Sequence, residues 1–150
     1  MMFNISNHPC HAERTTWSPE QIEAARELCG DGIIDIPFPS VTPDMTNEQL
    51  MSIAREVARD IAGQIGIKRF VKGACGCMVA GQFQLTFAIV SELQKLGIPC
   101  YTGDSIRVAE EVVQPDGSVA VVHHFKFAGF REYMPCIVGQ DAIAETIAFG

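Results

Sequence analysis

Apolar positions along the chain fall into short blocks whose period switches between that of a strand and that of a helix. Phe3-Asn4-Ile5-Ser6 alternates and predicts a first strand, followed by a polar stretch from Asn7 to Thr16. Ser18-Pro19-Glu20-Gln21 then supplies an N-cap serine, a proline at N1 and a glutamine three residues on, ahead of an apolar stripe at Ile22, Ala25 and Leu28. Such a capping box satisfies two of the backbone donors that a helix start leaves unpaired. The first helix is expected to run to about Cys29 and close at Gly30. Ile33 to Pro39 reads as strand two, ended by its prolines. Thr46 and Gln49 repeat the capping logic before Leu50, Ile53, Val57 and Ile61, which predict helix two. Between Gly63 and Gly73 the pattern is open, and Phe70-Val71 could begin a strand that Gly73 interrupts.

The stretch from Cys75 to Gly97 organises the middle of the chain. A small apolar run reaches Gly81, then Leu85, Ile89, Leu93 and Leu96 recur at helical spacing, so strand three, a glycine turn and helix three are expected, with Gly97 as C′ residue. Pro99 to Thr102 predicts strand four, leaving Gly103-Asp104-Ser105 as the turn at its carboxyl end. Val108 to Val113 and Val119 to Phe127 flank Gln114-Pro115-Asp116-Gly117-Ser118, which predicts an antiparallel hairpin. The tail from Met134 to Gly150 holds one amphipathic turn or helix around Ala142 to Ile147. The order β-α-β-α-β-α-β-β-β predicts an α/β fold: a doubly wound, Rossmann-like, mostly parallel sheet flanked by helices, with a C-terminal antiparallel hairpin edge. One domain is expected over residues 1–150, with 1–133 as core and 134–150 as a C-terminal extension.

Composition narrows the partners. Hydrophobic residues make up 47% and charged residues 19%, which fits a globular chain. No apolar run approaches the roughly 18 residues of a membrane span, and the N-terminus lacks the layout of a signal peptide, so a cytoplasmic protein without membrane contact is expected. The net charge of −7 argues against binding long nucleic acid, which needs clustered cations. A small anion remains compatible, because a helix start and two or three cations can hold it. The six cysteines lie mostly in or beside expected elements and read as reduced thiols.

In an open parallel sheet, loops at the carboxyl ends of the strands converge at the switch point. Three are rich in chemistry. Ser6-Asn7-His8-Pro9-Cys10-His11 offers a histidine that could protonate a leaving oxygen, or could simply cap a surface loop. Gly81-Gln82 would present the start of helix three. Gly103-Asp104-Ser105-Ile106-Arg107 offers a hydroxyl and a guanidinium fork, with a structural pairing of Arg107 to Asp104 or Glu110 as the alternative. His8, Cys10 and His11 with Cys75-x-Cys77 match no zinc spacing, so no metal is expected. No phosphate loop or GxGxxG stands in the chain, and no cofactor is expected.

Taken in order, Ser6-Asn7-His8, Trp17-Ser18-Pro19-Glu20-Gln21, Ala80-Gly81-Gln82-Phe83, Tyr101 to Arg107, Asp116-Gly117-Ser118 and Phe127-Ala128-Gly129-Phe130-Arg131-Glu132-Tyr133 resemble small stand-alone CRISPR-associated proteins with a CARF-like (CRISPR-associated Rossmann) fold. The resemblance covers about residues 3 to 133. It implies a homodimer that binds a cyclic oligoadenylate across two carboxyl edges and, as in ring nucleases, opens it without metal by 2′-hydroxyl attack. On it, His8 and Arg107 would be catalytic, and Ser6, Asn7, Gly81, Gln82, Gly103 and Ser105 would contact ligand. Asp104 and Gln82 depart from the pattern, standing where a hydroxyl residue and an acidic residue are expected. A noncatalytic sensor or protein-interaction module of the same fold is the alternative, suggested by the apolar strands at Val119 to Val122 and Phe125 to Phe130.

Overall fold

The computed structural model describes residues 1–11 and 16–136. The expected turn or helix around Ala142 to Ile147 lies outside the described residues. The elements are β1 (Met2–Ser6), α1 (Pro19–Cys29), β2 (Ile33–Pro37), α2 (Asn47–Ile65), β3 (Gly76–Ala80), α3 (Phe83–Lys95), β4 (Cys100–Val113) and β5 (Val119–Glu132). They build one sheet in the order β2-β1-β3-β4-β5. β1 is parallel to β2 and β3, β3 is parallel to β4, and β4 and β5 are antiparallel. The sheet is therefore the expected doubly wound, mostly parallel one, and its winding reverses between β1 and β3.

Both predicted capping boxes form. Ser18 accepts from the Gln21 N–H while Gln21 accepts from the Ser18 N–H, and Thr46 and Gln49 do the same for α2. Strand alternation then divides the core. Phe3 and Ile5 of β1, with Cys77 and Val79 of β3, pack under α2 and α3, where Ile61, Leu85, Ile89 and Leu93 are fully buried. Met2 and Met78 point the other way, against Ala25 and Cys29 of α1 and Trp17. Each large aliphatic buried this way contributes roughly 1.5–3 kcal/mol of transfer free energy.

One stretch that the pattern leaves open is resolved, and one expectation fails. Gly66 to Phe70 is a short 3-10 turn, and Phe70 and Val71 are exposed and pair with no strand. Positive φ at Gly66 (58°) and Gly73 (77°) turns the chain at both ends of this connection. Gly103-Asp104-Ser105 is not a turn. β4 runs through it, so the described residues hold five strands where six were expected, and pairing with β5 extends from Tyr101–Glu132 to Val113–Val119. A bulge between Asp104 and Ser105, opposite Ala128, absorbs the irregularity that the glycine suggests without ending the strand. Because β4 pairs with β3 only at Cys100 and Tyr101, its outer part and β5 leave the sheet together as a two-stranded ribbon.

Candidate functional site

The α1 side of the sheet turns polar toward its carboxyl ends. Asn4 and Ser6 alternate with Phe3 and Ile5 and are both buried, and Asn4 lies beside Asp35 of β2 in the parallel register. The Asn4 amide donates to Asp35 Oδ1 at 2.8 Å and to the His8 carbonyl at 2.9 Å. Ser6 Oγ donates to Asn4 Oδ1 at 2.7 Å and accepts from the His8 N–H at 3.1 Å. Asp35 also accepts from the N–H groups of Cys10 and His11, each at 2.8 Å. Burial pushes the Asp35 carboxyl up, but the Cys10, His11 and Asn4 donors outweigh it and hold the group below its ordinary value. Trp17 adds an indole N–H to the His8 carbonyl at 2.9 Å. The loop after β1 is thus fixed through its main chain, while the side chains of Asn7 and His8 stay exposed.

Ser6 and Ala80 end β1 and β3 as direct partners, and neighbouring strands lie about 4.8 Å apart. Asn7-His8 and Gly81-Gln82 therefore leave the sheet side by side at the switch point, as the sequence predicts. Gln82 is the N-cap of α3, its Oε1 accepting from the Leu85 N–H at 2.8 Å. What remains for a ligand is its Nε2 and the first N–H groups of the helix. Gly81 is required for packing: a Cβ there would lie 2.5 Å from the Phe38 ring. Ser6 stands at the same edge but is buried, and its hydroxyl is engaged within the frame.

The third predicted group separates from these. Gly103 lies opposite Phe130, with Ser105 opposite Phe127 and Arg107 opposite Phe125, all on the outward run of β4. Arg107 is exposed, with no partner among the described residues. The ion pair expected of Asp104 goes to Arg131, whose Nε and a terminal nitrogen both reach Asp104 Oδ2 at 2.7 Å. Arg131 lies opposite Thr102, so this pair occupies the face of the ribbon away from Ser105 and Arg107.

The remaining chemistry is structural. Cys10, Cys29, Cys75, Cys77 and Cys100 are buried free thiols, and Cys136 is exposed. Burial raises Cys29 to about 11, and burial likewise raises Cys77 and Cys100. Among the described residues, no three His, Cys, Asp or Glu side chains are grouped to hold a metal ion. A cavity of about 200 Å³ lined by Ser6, Asn7, Pro9, Asp35 and Pro37 opens at the carboxyl ends of β1 and β2. A larger one, about 440 Å³, lies at the amino end of β4 around Ile98, Pro99 and Tyr133, and no predicted site residue lines it. No helix among the described residues is long and apolar enough to cross a membrane.

Sequence reasoning missed Asn4, Asp35 and Phe38. A signal for the first two was present: a polar residue in the middle of a strand expected to be covered by helices on both faces calls for a partner.

The model of the Uncharacterized protein MJ1673 family matches residues 1–131, and the chain belongs to that family. No curated protein and no solved structure matches it.

Proposed function

We propose that this member of the MJ1673 family is a cytoplasmic, homodimeric protein of type III CRISPR defence that binds a cyclic oligoadenylate at its carboxyl edge and opens it. The observation that carries the reading is the pairing of Ser6 with Ala80, which brings the exposed Asn7-His8 beside the exposed start of α3. A phosphate of the ring fits the N–H groups of that helix start and the Gln82 amide. The 2′-hydroxyl of the adjoining ribose gives its proton to solvent water as it attacks phosphorus in line, the P–O5′ bond breaks and the departing 5′-oxygen takes a proton from His8, and a 2′,3′-cyclic phosphate remains. Beside that proton, positioning and charge stabilisation are the rest of the protein's task in such a step. The main-chain anchors of His8 supply the positioning, since they hold its backbone and leave its ring to the ligand. Ser105 and Arg107 stand out along the ribbon and are left out of this contact set.

A noncatalytic sensor of the same ligand is the second reading. It is favoured by the internal engagement of Ser6 Oγ and Gln82 Oε1, which leaves His8 as the one titratable side chain among Ser6, Asn7, His8, Gly81 and Gln82. Incubation with cyclic tetra- and hexa-adenylate, with and without EDTA, separates the readings. Linear products bearing a 2′,3′-cyclic phosphate support the first, and binding without turnover supports the second. His8→Ala should lower turnover by about 10²–10⁴-fold and leave binding intact. If neither ring binds or reacts at micromolar protein, both readings fall.

A further inference from the structure

The ribbon formed by the outer parts of β4 and β5 exposes apolar side chains on both faces. From Ser105–Phe127 to Val113–Val119 it comprises nine residue pairs, and among the described residues no further strand lies beside them. Among the described residues the start of α1 approaches it, across a cavity of about 280 Å³ beside His124 to Phe127. A two-stranded hairpin alone in water is marginal and needs a covering layer. Paired residues in an antiparallel ladder share a face, so Arg107, Ala109, Glu111 and Val113 lie on one side with Val119, Val121, His123 and Phe125. This is the more exposed side: Val113 is 72% exposed, Val119 58%, Val121 57% and Phe125 75%.

The order of side chains on that face is self-complementary. Arg107 and Glu111 stand two residues to either side of Ala109, and Phe125 and Val121 stand two residues to either side of His123. We propose that this face is the interface of a homodimer, in which two ribbons pack face to face and antiparallel about a two-fold axis running across the strands at the Ala109–His123 pair. The axis places Arg107 over the partner's Glu111 and Glu111 over the partner's Arg107. Phe125 covers the partner's Val121, and Val119 covers the partner's Phe127. Ala109 and His123 each meet their own copy at the centre, between faces packed about 10 Å apart. The four exposed apolar side chains offer on the order of 450 Å². With Arg107, Ala109, Glu111 and His123 the footprint approaches the ~800 Å² per partner of a standard interface. An unrelated partner would need to bring a matching stripe of charge and apolar side chains, and this chain already carries it. The match also gives Arg107, which has no partner among the described residues of its own chain, a partner. The proposal needs no ligand and stands apart from the reading of the carboxyl edge.

Sedimentation velocity on the full chain without nucleotide tests it. The wild type should sediment as a dimer, and Arg107→Glu or Glu111→Arg alone should weaken the dimer roughly tenfold or more, because each sets like charges opposite one another at both ends of the axis. The double variant Arg107→Glu with Glu111→Arg restores opposite charges and should return the dissociation constant to within roughly threefold of wild type. Phe125→Asp should give a monomer with an unchanged far-UV spectrum. Should that variant fail to fold, the charge swap at two exposed positions still decides. A wild type that stays monomeric at tens of micromolar overturns the proposal. So does a double swap no tighter than the single reversals.

Discussion

Replacing Asp35 with asparagine changes one oxygen for one nitrogen and leaves the shape of the side chain alone. The Asp35 carboxylate accepts three N–H donors at 2.8 Å, from Asn4, Cys10 and His11. Asparagine keeps one acceptor oxygen and turns an N–H₂ toward the remaining donors. At least one bond is lost and one donor is set against another. Hydrogen bonds to an ionised group contribute about 1.5–3 kcal/mol each, and Asp35 is only half-buried, so solvent softens the loss. The expected cost is about 2–3 kcal/mol, or a fall in Tm of roughly 5–10 °C for a domain of this size. Urea denaturation should show a lower midpoint at an unchanged slope, and the amides of Cys10 and His11 should exchange faster. The pH profile adds a second check. Since the folded-state value of Asp35 lies below the ordinary one, its stabilisation is complete above about pH 3.9 and is lost as pH falls through the lowered folded value. Asp35→Asn should lack this part of the acid sensitivity. A loss below about 0.5 kcal/mol with an unchanged acid profile would refute the view that Asp35 anchors the loop.

Gly81→Ala should destabilise by about 1–3 kcal/mol, because the new methyl meets the Phe38 ring. In thermal melts Phe38→Leu should cost less in that background than in the wild type, and strict additivity would argue against the contact. Native protein treated with a disulfide reagent near pH 8 should show one fast thiol, Cys136, with the other five released only by denaturant. Burial of Cys77 and Cys100 is the cause, and a Cys136→Ser variant that keeps the fast phase would contradict it.

Much of the fold was legible because its signals are local. Ser18 with Gln21 and Thr46 with Gln49 state where two helices begin, and those boxes form through atoms three residues apart. Gly97, with φ 74°, follows α3 as the period of that helix predicts. β4 was misread because Gly103-Asp104-Ser105 has the composition of a turn, whereas its conformation is set by residues far along the chain, with Gly103 opposite Phe130 and Asp104 paired to Arg131. The same limit hid part of the site. Asn7-His8 and Gly81-Gln82 could be placed together from topology alone, since β1 and β3 flank the point where winding reverses. That Asp35 would take the Asn4 amide and gather donors from the neighbouring loop depends on pairing across 31 residues, which no local window contains.

The chain has one tryptophan, and Trp17 is buried where the loop after β1, the start of α1 and the base of the ribbon meet. Its ring lies 5.7 Å from that of Phe130, and its N–H is given to the His8 carbonyl. Indole emission is thus a built-in optical probe of this junction. A shift on adding nucleotide reports at the His8 side, a shift on dilution reports at the ribbon, and the two titrations can be followed on the unlabelled protein in one cuvette.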